Sequence, residues 1–256
     1  MCGYAIGSRE EGTVRQERAD SEKDGYITPI GIISSCFTEK FGIPRQPGMV
    51  MSATGRLEFL PPFNRAEMVR GLEQFSHIWV HFCFHATVAE GWKPTVRPPW
   101  LGGQKRVGVF ATRSPHRPNH LGLSVVRLEA VTMEKGKPFL ELSGVDFLDQ
   151  TPVYDIKPYI PYSDSIPSAS CGYARGEQPE VVVIFSEKSK EFCAKYLSRT
   201  KRNIRRLIED LIRHDPRPAS QKGSRNNFGM LLWNVNIRWR VEGNTFFIES
   251  CEELTV

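Results

Sequence analysis

The 256-residue chain has no run of 18 apolar residues and no apolar segment near its start, so nothing in it reads as a membrane-spanning helix or a secretory signal. Its six cysteines, Cys2, Cys36, Cys83, Cys171, Cys193 and Cys251, are scattered, with no C-x-x-C pair. That spacing gives no zinc knuckle and no disulfide framework, and it fits reduced thiols in a cytoplasmic protein. Neither G-x-G-x-x-G after a strand nor G-x-x-x-x-G-K-[ST] occurs, so a dinucleotide fold and a P-loop have no sequence support. No spacing implies a Ser-His-Asp or Cys-His nucleophile. The diproline pairs in Leu60-Pro61-Pro62-Phe63 and Arg97-Pro98-Pro99-Trp100 lack the Asp or Asn that an adenine-methylating D/N-P-P-Y signature requires, and they read as rigid turns.

What is present is an ordinary globular composition, 40% hydrophobic and 25% charged. The length suggests one large and one small domain. Net charge is only +5, but between Lys195 and Arg225 ten basic residues face three acidic ones. Such a surplus suits a polyanion, because neutralising phosphates releases counterions; a solvated helix face is the competing reading.

Residues 1–25 are rich in mixed charge and poor in apolar residues, and they read as a flexible tail. Residues 26–165 read as mostly β. Strands are expected over 27–33, 77–85, 106–112, 123–133, 139–145 and 153–156. One helix is expected near Met68, Val69, Leu72 and Phe75, capped by Asn64 and Glu67. Several strands divided by Gly and Pro turns point to a barrel. Residues 166–179, rich in Ser, Gly and Pro, read as a linker. In 180–256 a strand (181–185) leads through Ser186, an N-cap, into an amphipathic helix that Asp215-Pro216 ends. Two closing strands, 230–241 and 245–250, meet at Glu242-Gly243-Asn244. The fold class is therefore a mainly β N-terminal domain, a barrel, with a small α+β C-terminal domain.

His77, His81 and His85 share a face of one expected strand. Positions four apart on a strand lie about 13 Å apart, too far to share an ion, and no metal site is expected. The densest polar stretch is Ala111-Thr112-Arg113-Ser114-Pro115-His116-Arg117-Pro118-Asn119-His120-Leu121-Gly122-Leu123-Ser124, and a second runs from Asp146 to Tyr159. Loops fixed between strands are where binding groups concentrate. Acidic groups of the second stretch have two readings, a cation site or a structural pair with Arg113.

These stretches, with Pro44-Arg45-Gln46, Leu101-Gly102-Gly103, Asp215-Pro216-Arg217-Pro218 and Asn236-Ile237-Arg238-Trp239-Arg240, occur in the order in which they stand in the TsaA/YaeB-like family, the tRNA methyltransferases called TrmO. The chain resembles that family over residues 26–251. The resemblance implies a non-Rossmann β-barrel that binds S-adenosylmethionine and forms homodimers with the cofactor near the subunit interface. It also implies methylation of the exocyclic amine of the threonylcarbamoyl-adenosine just 3′ of the anticodon, t6A37 to m6t6A37. It assigns cofactor contacts to Pro44, Arg45, Gln46, His85, Ala86, Arg113, Leu123, Asp149, Gln150, Thr151 and Pro152. Ala86 stands where Gln is common, Gln150 where Gly is common and His120 where Pro is common. On this footing Asn119 and Asp155 are candidates to take the amine proton. Arg117 and Tyr159 are candidates to hold the splayed base, and Arg205, Arg206, Arg213 and Arg217 to contact tRNA phosphates in the anticodon loop. A non-catalytic RNA-binding protein of this fold, or a methyltransferase acting on another RNA or a small molecule, are the alternatives.

Overall fold

Residues 27–174, 180–217, 221, 223 and 225–254 are described by the computed structural model of the protein. The expected tail, residues 175–179 of the expected linker and Pro218 lie outside the described residues.

Six antiparallel strands close a barrel in the order β1-β2-β7-β6-β3-β8. They are β1 (Gly31–Ser35), β2 (Thr54–Phe59), β3 (His77–Cys83), β6 (Leu121–Glu134), β7 (Lys137–Ser143) and β8 (Thr151–Pro158). Alternation makes them strands: in β6 the inward Gly122, Ser124, Val126 and Leu128 are buried while Leu121, Leu123, Arg127 and Glu129 face out. Pairing of Gly31 with Val153 and of Ile33 with Thr151 shuts the cylinder, which leaves no sheet edge. Between β3 and β6 the chain makes a long excursion. It carries a 3₁₀ turn (His85–Glu90) and a two-residue ribbon of β4 (Thr95–Val96) and β5 (Val107–Gly108).

A helical turn, α1 (Pro161–Asp164), leaves the barrel. A second sheet follows, ordered β10-β11-β12-β9, from β9 (Val182–Phe185), β10 (Asn227–Leu232), β11 (Val235–Glu242) and β12 (Thr245–Glu253). Helices α2 (Glu187–Thr200) and α3 (Ile204–Arg213) cover it. The buried face of α3, Ile204, Leu207, Ile208, Leu211 and Ile212, has the helical spacing of the sequence pattern. Barrel and second sheet share one continuous apolar core. Phe37, fully buried, bridges Leu148 of the barrel side and Leu232 of β10, and His214 Nε2 donates to the Met49 carbonyl at 2.7 Å.

Several local expectations are corrected. The helix expected around Met68 is two 3₁₀ turns, Ala66–Val69 and Leu72–Gln74, with no side-chain cap; Gly71 between them sits at φ +87°, which breaks any continuous helix. The strand expected over 106–112 is only Val107–Gly108 followed by a 3₁₀ turn. The single long C-terminal helix is split where Lys201 adopts φ +63°. The segment 230–241 is two strands, because Trp233 turns at φ +52°. The strand β2 carried no expectation at all. Ser186 does cap α2, its side chain accepting from the Ser189 N–H at 3.1 Å.

Candidate active site

A cavity of about 590 Å³ opens where β3 leaves the barrel and β6 enters it. Its walls come from four places in the chain: the loop Ile43–Pro47 after β1, the end of β3 with the 3₁₀ turn at His85, the segment from Thr112 to Ser124, and Asp146, Leu148 and Thr151 before and at the start of β8. The volume lies within the range of small-ligand sites.

Backbone chemistry shapes the floor. Phe82 pairs with Gly122 across β3 and β6, and a methyl on Gly122 would stand 2.2 Å from the Phe82 ring. Glycine lets the ring lie flat against the strand. The ring then meets Phe84 and Phe147 edge-on, each at 4.9 Å, giving an aromatic base to the cavity. The polar walls are joined across the sequence, since the Arg113 guanidinium donates to Gln46 Oε1. Arg45 lies 5.6 Å from the centre of the Trp100 ring. Arg117 donates to the Thr112 carbonyl at 2.7 Å, which closes its own loop.

Two groups have shifted proton affinity. Burial pushes the Asp146 carboxyl up to about 6, against the opposing pull of the Ser124 hydroxyl and of the Arg113 charge. Its Oδ1 is buried and has no hydrogen-bond partner. A buried carboxylate oxygen without a donor is costly, and a cation or an N–H of a ligand would relieve it. Burial lowers the pKa of His85, which favours a neutral ring at pH 7.

Of the residues predicted for the site, Pro44, Arg45, Gln46, His85, Ala86, Arg113, Arg117, Leu123 and Thr151 line this cavity. Asp149, Gln150 and Pro152 are not among its lining. Asp149 Oδ1 accepts from the Ser35 N–H at 2.8 Å, and its own N–H donates to Phe37, so it fixes the turn beneath. Pro152 is buried opposite Ile32 of β1. Asp155 pairs in register with His81, a lining residue, and so stands on the same sheet face one strand beyond the wall. Asn119 is exposed at the end of the Thr112–Asn119 loop. Tyr159 packs against Trp79 at 5.8 Å and His77 at 6.4 Å.

Arginines of the basic helix carry ion pairs along its surface. Arg205 bonds Glu209 and Arg206 bonds Asp210, each at 3.0 Å. The Arg217 side chain is 14% exposed, and its guanidinium is bidentate to Asp215, at 2.7 and 3.0 Å. Arg213 has no acidic partner among the described residues.

The unusual positions find backbone reasons. Gln150 sits at φ +63°, the left-handed region where glycine is the easy choice. His120 sits at φ +50°, which a proline ring, held near −65°, cannot adopt. The loop with histidine there closes by a different turn from one with proline. Asp146, Ser124, Phe82 and Gly122 carried no individual assignment. Asp146 stood in a quoted stretch, but only its burial sets it apart from Asp149 and Asp155.

Comparisons with known proteins follow the same division of the chain. Residues 32–165 match the family model described as the tRNA-methyltransferase O N-terminal domain, and residues 178–254 match the TrmO C-terminal domain. The chain is 45% identical over 227 residues to the tRNA (adenine(37)-N6)-methyltransferase of Escherichia coli, covering 87% of this chain and 96% of that one. The human protein of the same name is 48% identical over 166 residues, 64% of this chain and 34% of its own. The crystal structure of TrmO from Pseudomonas aeruginosa, 39% identical, superposes with a TM-score of 0.74 over 89% of this chain and 97% of that chain.

Proposed function

Because both of its parts match the models of the tRNA-methyltransferase O family, the chain belongs to that family, and we propose that it is an S-adenosylmethionine-dependent methyltransferase acting on N6 of adenine 37 of tRNA, converting t6A37 to m6t6A37. The observation that carries the cofactor half of this reading is Asp146 Oδ1, a buried acceptor without a donor on a cavity of nucleoside size. The residues present fit the cofactor: a carboxylate for its positive or N–H groups, an aromatic floor at Phe82 for its apolar parts, and Arg45 and Arg113 for its carboxylate. The bound cofactor supplies an electrophilic methyl group.

The chain's own work is alignment, which can contribute several orders of magnitude without covalent catalysis. Thr151 and Leu148 are carried into the wall by the Asp149-Gln150 turn, so Asp149, Gln150 and Pro152 act by positioning. Asn119, exposed on the loop, and Asp155, beside His81, are the two groups proposed to take the amine proton. Arg117 holds the loop that the base meets, with Tyr159 behind Trp79. In the C-terminal part Arg213 is free to meet a phosphate, and Arg205 and Arg206 can exchange surface carboxylates for one. A second copy of the chain would cover Leu121 and Leu123, 39% and 47% exposed at the cavity edge, which supports the homodimer with its cofactor near the interface. The compartment of such an enzyme is the cytoplasm, with its tRNA.

A non-catalytic RNA-binding protein is disfavoured, since Gln150 lies off the cavity and Ala86 removes no charge from it. Incubation with methyl-labelled S-adenosylmethionine and tRNA, with and without the threonylcarbamoyl group, tests the proposal. Nucleoside mass spectrometry should find label on threonylcarbamoyl-adenosine alone. Label on unmodified adenosine, or none at all, would refute it.

A further inference from the structure

The excursion from Gly91 to Arg117 carries six Lys or Arg residues and no Asp or Glu. Lys93, Arg97, Lys105 and Arg106 are exposed, and among the described residues none forms an ion pair, although the Lys93 charge acts on the neighbouring Glu90 carboxylate. Two large rings stand out among them, Trp92 at 58% and Phe110 at 76% exposure. The surface is held in shape. The β4–β5 ribbon pairs Thr95 with Gly108, the Val109 N–H donates to Pro94 at 3.0 Å, and the Lys93 N–H donates to His116 at 3.1 Å. It is also continuous with the cavity, whose wall includes Thr112, Arg113 and Arg117 from the same excursion.

We propose that this excursion is the main RNA-gripping surface: Trp92 and Phe110 stack on unpaired bases of the substrate loop while Lys93, Arg97, Lys105 and Arg106 take the flanking phosphates. The proposal rests on the tRNA reading above and locates the contact that reading needs. A bundle of cations with no internal acids is complementary to a phosphate chain, and each phosphate engaged releases counterions. Exposed rings are adverse in water but match the splayed bases of a single-stranded loop. Proximity to the cavity wall puts the target base within reach of the methyl group when the loop is held here.

The test uses the full chain and tRNA carrying the threonylcarbamoyl group. In the charge-reversed variant K93E/R97E/K105E/R106E the slope of log Kd against log salt should fall by about one for each phosphate contact removed. W92A and F110A should each weaken tRNA binding about tenfold with little change in that slope. Binding of S-adenosylmethionine should be unchanged in all three, which shows the fold intact; if the charge-reversed variant loses it, the two single variants decide. Unaltered tRNA affinity in W92A and F110A would overturn the proposal. So would a weakened affinity that sedimentation traces to dissociation of a dimer, because the surface would then be a subunit contact. Wild-type protein that methylates tRNA while the variants bind it equally well defeats this surface alone; wild-type protein that neither binds nor methylates tRNA defeats the enzyme reading as well.

Discussion

Two basic regions of this chain look alike as strings of letters and behave differently as surfaces. Between Lys195 and Arg217 the cations are largely spent within the protein: Arg199 on Glu253, Arg205 on Glu209, Arg206 on Asp210 and Arg217 on Asp215. The stretch from Gly91 to Arg117 contains no acid of its own and its exposed cations form no ion pair among the described residues, and the same excursion runs into the wall of the cavity where Asp146 Oδ1 lacks a donor. Charge count therefore says little about charge availability. Groups that hold the fold are partnered within it, and groups that serve a ligand are left incomplete.

The largest expected effect lies in the partnered region. Arg217→Ala should destabilise the protein by about 3–5 kcal/mol in urea unfolding, because it breaks a buried, bidentate ion pair with Asp215. An effect below about 1 kcal/mol, the range of exposed pairs, would place Arg217 among the surface charges and break the contrast. Next comes the carboxylate whose Oδ1 lacks a donor. Asp146→Asn should weaken S-adenosylmethionine binding by about 1.5–3 kcal/mol, the range for a hydrogen bond to a charged group.

The same change should raise the melting temperature of the free protein at pH 7.5. The Asp146 pKa of about 6 exceeds that of an unfolded aspartate, so its contribution to stability is present at low pH and lost as pH rises through 6. Asparagine removes that loss. A melting temperature that falls instead would mean that the carboxylate serves the fold. The smallest effect belongs to the helix: R205A/R206A should cost about 0.3–0.5 kcal/mol of stability per ion pair. It should also weaken tRNA binding far less than K93E/R97E/K105E/R106E does. The reverse order would return the main RNA contact to α3.

Much of this was legible in the sequence where a physical rule acts over a few residues. Alternation in β6, the apolar stripe of α3 and the Ser186 cap each declare themselves locally. The Arg113 segment stood out by its density of polar groups, whereas Gln46 was placed at the site by the family resemblance; their hydrogen bond spans 67 positions and only folding joins them. What stayed hidden depends on distant neighbours. The short β2 lies between β1 and β7, and nothing in Thr54–Phe59 announces either partner. Lys201 and Trp233 bend the chain in left-handed conformations that residue type does not suggest. Asp146 could not be told from Asp149, because burial decides which carboxylate is short of a donor and which is tied to Ser35. The pairing of Arg217 with Asp215 is close in sequence, yet only its burial makes it structural.

The central claim is that the cavity beside Asp146 binds the methyl donor through an ionised carboxylate. Calorimetric titration of S-adenosylmethionine into wild-type protein and Asp146→Asn, at pH 7.5 and at pH 5, tests it directly. Wild-type affinity should fall by about tenfold at the lower pH, because binding then requires release of the proton held near pH 6, while the variant should bind weakly and equally at both. Equal affinity of the two proteins at pH 7.5 would contradict the account.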